Sequence, residues 1–200
     1  MSKQENFRTK IIGGEFKGRY IEIPNISTTR SSKSILKESL FNTLQFDIID
    51  KNFVEVFSGS GSIGLEALSR GAKACYFIEY NKQVYKVLKQ NIQSLDPSRC
   101  HHFFGNSFEK FEMLLNLLAK SSQKSYFYFD PPFSTRDGMG DIYDKTLELI
   151  KKIDPKICEM VIVEHMAQLT MPKTIATFDQ IKSKRFGRSK LTYYSPTPRD

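Results

Sequence analysis

An aspartate followed by two prolines and an aromatic ring, Asp130-Pro131-Pro132-Phe133, is the stretch of this chain with the clearest chemical capacity. A carboxylate and a rigid carbonyl put two acceptors in one corner, which matches an exocyclic amino group with two hydrogens to donate. Pro131 and Pro132 remove two amide donors and most of the loop's freedom. Phe133 adds a flat apolar ring, a platform for the planar base that would carry such an amine. The aromatic run Tyr126 to Phe129 just before it reads as a buried strand of a parallel sheet. Asp130 therefore falls at a strand's carboxyl end, where open α/β sheets hold their ligands. Alone, the tetrapeptide is equally a strand end closed by a Pro-Pro turn.

A second constellation lies upstream. Gly59, Gly61 and Gly64 match G-x-G-x-x-G, and Glu79 stands about twenty residues on, where an acid accepting two ribose hydroxyls is expected. Glycines of this kind let backbone approach a ligand at a helix N-terminus. NAD and S-adenosylmethionine both make these demands, and three features favour the second. Phe57-Ser58-Gly59-Ser60-Gly61 has Glu55 just upstream, a carboxylate suited to a ligand bearing an ammonium and a sulfonium rather than a pyrophosphate. Gly105-Asn106-Ser107 ends a strand with a polar edge suited to an adenine. The amino-group clamp at Asp130 has no use in hydride transfer.

The elements that must position these groups alternate strand and helix, the signature of a doubly wound α/β fold. The first strand of the sheet is Phe53 to Phe57, and the Gly loop turns from it into a helix that stops before Gly71. Lys73 to Ile78 is the second strand, and Asn81 caps the helix after it. His101 to Phe104 is the third, Ser107 opens a helix, and the fourth ends at Asp130. A helix around Ile142 to Lys152 leads to a fifth strand, Cys158 to Val163. Thr174 to Phe178 and Ser189 to Tyr194 read as two last strands joined across a basic turn at residues 184–188. No helix separates them, so they must pair antiparallel. Ahead of all this, Lys10 to Ile23 reads as a β-hairpin with a Gly-rich basic turn. Ser31 or Ser32 caps a helix with Ile35, Leu36, Leu40 and Leu44 on one face. Residues 1–47 thus form an appendage to a main domain of residues 48–200.

The 200 residues suffice for one such domain, and 40% of them are hydrophobic, ordinary for a globular protein. No apolar run approaches a membrane span and the N-terminus is polar, which predicts a cytoplasmic protein without membrane contact. Cys75, Cys100 and Cys158 stand far apart without a C-x-x-C, and three histidines complete no ligand pattern, so no metal site is expected. The net charge of +8 is concentrated at the two ends. Lys17, Arg19 and Arg30 belong to the first basic stretch, and Lys184, Arg185 and Arg188 to the second. Basic segments flanking a balanced middle predict a phosphate-rich partner that touches two edges of the fold.

Six stretches together resemble the RsmD-type methyltransferases, which methylate N2 of a guanine in 16S ribosomal RNA. They are KIIGGEFKGR (Lys10 to Arg19), LKESLFNTL (Leu36 to Leu44), VFSGSGSIGLEALSRGA (Val56 to Ala72), FIE (Phe77 to Glu79), FDPPF (Phe129 to Phe133) and VIVEH (Val161 to His165). The resemblance covers almost the whole chain in one order, with the basic run Lys182 to Tyr194 matching in character. It implies a Rossmann-like methyltransferase: a seven-stranded, mostly parallel sheet with one antiparallel strand, plus the N-terminal hairpin and helix. It also implies S-adenosylmethionine as cofactor, and as partner 16S rRNA within the small subunit or its assembly intermediate, met by a monomer. Carried over, Gly59, Ser60 and Gly61 cradle the cofactor's methionine part, with Glu55, Phe57 and Ser58 beside them. Glu79 takes the ribose, and Asn106 and Ser107 address the adenine. Asp130 and the Pro131 carbonyl hold the target amine, next to Pro132 and under the Phe133 ring. The chain departs from the pattern at Glu55, where aspartate is expected, and at Ser34-Ile35, where Asp-Arg is expected. The same clamp would also serve an adenine-N6 methyltransferase acting on DNA or RNA, and a catalytically silent RNA-binding assembly factor is the other class open to this fold.

Overall fold

The computed structural model describes residues 7–24, 31–121, 123–132 and 141–198, with backbone alone for 31–33. The chain runs β1 (Phe7–Lys10), β2 (Tyr20–Ile23), α1 (Ser31–Leu44), β3 (Asn52–Glu55), α2 (Ser62–Ser69), β4 (Ala74–Glu79), α3 (Lys82–Leu95), β5 (Cys100–Phe104) and α4 (Ser107–Leu118). It continues through β6 (Ser125–Phe129), α5 (Ile142–Lys151), β7 (Cys158–Met166), β8 (Thr174–Ile175), β9 (Phe178–Phe186) and β10 (Ser189–Pro196).

Every residue of β6 is buried, because the sheet is covered on both faces. Tyr126 and Tyr128 turn to one side, into a cluster with Phe53, Phe77 and Ile162 beneath α1, α2 and α3. Phe127 and Phe129 turn to the other, with Val54, Ile78 and Val163 against α4 and α5. Burying one such aromatic contributes about 1.5–3 kcal/mol, so this strand fixes the register of its neighbours. The order across the sheet is β5-β4-β3-β6-β7-β10-β9-β8. The first five strands are parallel, and β10 runs antiparallel to both of its neighbours, β7 and β9.

The sheet has eight strands where seven are expected. The segment read as one strand from Thr174 to Phe178 is broken at Ala176, whose φ of 51° lies outside the extended region. Thr174–Ile175 becomes a short eighth strand, and Phe178 begins a long one that continues to Phe186. Lys182, Lys184 and Arg185 therefore stand on β9, and the turn is confined to Gly187 and Arg188. On α1, Leu36, Leu40 and Leu44 are buried with Phe41, whereas Ile35 faces outward.

The hairpin strands are Phe7–Lys10 and Tyr20–Ile23, and residues 11–19 between them fold down onto α2. Glu66, fully buried, accepts the amides of Ile12 and Gly13 at 2.9 Å each. The same carboxylate meets Arg70 Nε at 2.9 Å and the buried Lys37 Nζ of α1 at 3.1 Å. Ser69 Oγ donates to the Gly13 carbonyl and accepts from the Phe16 amide. Gly14 has φ +78°, and a Cβ there would lie 1.8 Å from the Ser69 carbonyl oxygen, so backbone rests directly on backbone. Ile11, Phe16 and Ile21 of the hairpin share one core with Leu65 and Phe53.

Candidate active site

A cavity of about 350 Å³ opens at the carboxyl ends of β3, β4, β6 and β7, within the roughly 300–1,000 Å³ typical of ligand sites. Its floor includes Glu55, Phe57, Ser58 to Ser60, Glu79, Ser107, Tyr128, Asp130, Pro132 and Glu164. Its other wall comes from the N-terminal elements: Arg8, Thr9, Ile23, Ser34, Leu36 and Lys37.

The Gly loop is held from below. Ser58 Oγ donates to the Glu55 carbonyl at 2.6 Å and accepts the Ile78 amide at 2.8 Å, pinning the loop to β4. Gly59 and Gly61 have φ of +53° and +79°, so a side chain at either is strained. Glu55 Oε2 accepts the Gly64 amide at 2.9 Å, and Oε1 the Ile63 amide at 3.4 Å. Its charge thereby meets the electropositive end of α2 while the residue also borders the cavity. A Cβ on Gly64 would lie 2.4 Å from the Phe77 ring, so this glycine serves helix-to-sheet packing.

Glu79 bridges the Gly loop and the next helix, accepting Gly59 N at 2.9 Å and Asn81 N at 2.7 Å. Burial pushes its carboxyl above the usual range, against the pull of those amides. Of Asn106 and Ser107, only Ser107 borders the cavity, with Oγ donating to the Val56 carbonyl at 2.6 Å. The exposed Asn106 caps α4, accepting the Phe108 amide at 3.0 Å. Asp130 and Pro132 line the cavity, and the buried Pro131 lies between them. Phe133 lies outside the described residues.

The basic residues are dispersed. Arg19 donates to the Ser94 carbonyl and sits over the Phe16 ring, while Lys17 is exposed. Lys184 donates to Ser39 Oγ of α1 at 3.0 Å. Arg185 donates to the Gly187 carbonyl at 3.0 Å, and Arg188 is exposed beside it. Arg30 lies outside the described residues. Sequence reasoning missed Glu164 and its partner Tyr128, whose hydroxyl donates to Glu164 Oε2 at 2.5 Å. The signal was there: Glu164 closes an apolar strand as Glu79 and Asp130 do.

The family model described as "Conserved hypothetical protein 95", of the RsmD methyltransferases, matches residues 9–195. The chain belongs to this family. The RsmD relatives include the protein named Ribosomal RNA small subunit methyltransferase D of Haemophilus influenzae, 36% identical over 131 residues, or 62% of this chain and 63% of the relative. The protein of the same name from Escherichia coli is 32% identical over 124 residues, 62% of this chain and 60% of the relative. In both cases the match spans under two thirds of the relative's length. A solved Escherichia coli structure named as a methyltransferase, yhhF, superposes with a TM-score of 0.76 at 26% identity, covering 96% of this chain and 100% of that one. The RsmD fold and the Rossmann-like methyltransferase sheet are thus shared.

Proposed function

We propose that the protein transfers a methyl group from S-adenosylmethionine to the exocyclic N2 amino group of a guanine in 16S rRNA of the small ribosomal subunit. The observation that carries this reading is one cavity bordered by both kinds of acid, Glu79 at the end of β4 against the Gly loop and Asp130 at the clamp. The names of the RsmD relatives speak for ribosomal RNA, and with it for the family's guanine over the adenine-N6 alternative. Among the described residues no helix is long and apolar enough to cross a membrane. The same reading takes the protein as a monomer working in the cytoplasm on the subunit or its assembly intermediate.

The residues suit this cofactor. Glu79 is a buried acid fixed by two backbone amides, so its remaining lone pairs are preorganised toward a ribose diol. The Gly loop gives a backbone surface for the methionine part, and Ser107 borders the adenine end. S-adenosylmethionine supplies an electrophilic methyl group. Everything else is the protein's work. An aryl amine is a poor nucleophile because its lone pair is delocalised into the ring. Asp130 and the Pro131 carbonyl accept the two amine hydrogens, holding them so that the lone pair localises on nitrogen and points at the methyl carbon. Positioning and electrostatics supply most of the acceleration. Pro132 borders the same cavity, and from the sequence Phe133 is the candidate ring to stack on an extruded base.

The hairpin and α1 close one side of the cavity and the N-terminal segment also meets RNA, through Lys17 and Arg19 and, from the sequence, Arg30, with Lys184, Arg185 and Arg188 as the second contact. Exchanging Arg185 and Arg188 together for glutamate is expected to weaken binding of small subunits. It should flatten the salt dependence by about one unit of slope for each phosphate no longer neutralised, with cofactor affinity unchanged. Unaltered binding at every salt concentration would reduce both to surface charge.

The function itself is tested by incubating the protein and cofactor with small subunits from cells lacking the gene. Digestion of the RNA and mass spectrometry should find N2-methylguanosine. N6-methyladenosine, or no methylated nucleoside at all, would refute the reading.

A further inference from the structure

The geometry points to Glu164 as the residue that reads the target base: it accepts the N1–H of guanine beside the Asp130 clamp and thereby excludes adenine. This inference rests on the guanine reading above.

The last β6–β7 pair is Phe129 with Val163, so Asp130, just beyond β6, and Glu164, still within β7, come next side by side. Side chains alternate along strands. Asp130 shares a face with Tyr128, and Glu164 shares one with Ile162, and Tyr128 and Ile162 lie in the same cluster. Both carboxylates border the one cavity. Tyr143 feels the field of both as well.

Glu164 is only 3% exposed, yet no cation pairs with it among the described residues. The one hydrogen bond its carboxylate accepts there is from Tyr128 Oη to Oε2. A buried carboxylate held by a single phenol is under-satisfied, because such a charge ordinarily needs a cation or several donors. Burial, with the Glu164 and Asp130 charges nearby, pushes the Tyr128 phenol well up, so the tyrosine stays the donor in this pair. Oε1 is left without a donor among the described residues, on a residue that borders the cavity.

The edge of guanine supplies what is missing. It presents N1–H and the N2 amino group side by side, donors only. Asp130 and the Pro131 carbonyl take the amino hydrogens, and Glu164 takes N1–H. Adenine presents its amino group beside N1, an acceptor, which would face a carboxylate with no proton between them. If Glu164 served only to satisfy Tyr128, a neutral amide would do as well.

The test uses small subunits reconstituted with 16S rRNA that carries 2-aminopurine at the nucleotide mapped by mass spectrometry. This base keeps the amino group but has a bare acceptor at N1. The parent enzyme should prefer guanine by about 10²-fold or more in kcat/KM, since sites built to bond a substrate N–H reject analogues lacking it. Glu164→Gln, whose amide can donate to N1, should shrink that preference by about 10-fold or more, with cofactor affinity unchanged. Asp130→Asn should slow both substrates and leave the ratio alone. Should Glu164→Gln lose cofactor affinity, Tyr128→Phe takes its place, and the unanchored carboxylate should lower the preference too. Guanine methylation with an unchanged ratio in these variants overturns the role of Glu164 alone. A methylated adenine in the mapping step overturns the reading beneath it.

Discussion

Exchange of Asp130 for alanine is expected to slow methyl transfer by about 10²-fold or more, equivalent to at least about 2.7 kcal/mol of barrier, while cofactor affinity stays near that of the parent. The separation follows from position. Glu79, the Gly loop and Ser107 stand on β4, on the turn after β3 and at the start of α4. Asp130 stands one residue beyond β6, toward the end of β7. The cofactor thus keeps its anchors when the carboxylate is lost, whereas the amine loses an acceptor that matters most as its lone pair leaves the ring. Asp130→Asn keeps one carbonyl oxygen without the charge and should fall between the two. Single-turnover rates on small subunits, paired with calorimetry for S-adenosylmethionine, separate the terms. An alanine variant that turns over near the parent's rate would refute the clamp.

Much of this site was legible because each of its acids closes a strand. In β4 and β6, a run of apolar residues stops at a carboxylate, and burial on both faces leaves that position as the first that can face a ligand. Asp130 is read in this way, and Glu79 by its spacing from the Gly loop as well; both border the cavity. The same rule applied to β7 would have singled out Glu164, but it lacks the spacing from a Gly loop that marks Glu79 and the Pro-Pro turn that marks Asp130. Asn106 lies off the cavity for a related reason. Its residue type suits adenine recognition and helix capping equally, and the unpaired amides at the start of α4 claimed its side chain.

The C-terminal strands misled because charge was read as a sign of a turn. Lys182, Lys184 and Arg185 lie on an outer strand, and their neighbour α1 gives two of them hydroxyl partners, Thr43 and Ser39. Such strands tolerate lysine since one side meets solvent. The break at Ala176 left no sequence mark, as nothing about alanine favours a positive φ. The parallel half of the sheet, by contrast, agrees with its reading strand by strand, because its periodicity and the cap at Asn81 point one way.

Glu66 was invisible in the sequence, lying within an ordinary helical run, and its loss is expected to be the most damaging to the fold. Glu66→Ala should destabilise the protein by about 3–5 kcal/mol, the range for removing one partner of a buried ion pair. The carboxylate is fully buried and gathers Lys37 from α1, Arg70 from its own helix and the amides of Ile12 and Gly13. Alanine leaves two backbone donors without an acceptor and a buried ammonium without its counter-charge, held by the Lys10 carbonyl alone. The damage should reach the cofactor site, since Arg8, Thr9 and Ile23 of the hairpin and Leu36 of α1 line the cavity. Urea denaturation should show the lower midpoint, and calorimetry a weaker grip on S-adenosylmethionine. A companion double variant, Glu66→Met with Lys37→Met, separates the two demands on this carboxylate. Apolar replacement of a simple ion pair is often nearly neutral, so full recovery there would mean that only the charge pair mattered. Because Ile12 and Gly13 still lack their acceptor, recovery is expected to be partial at most. A loss below about 1 kcal/mol in the single variant would place Glu66 among ordinary surface charges and leave the docking of the hairpin to its apolar residues alone.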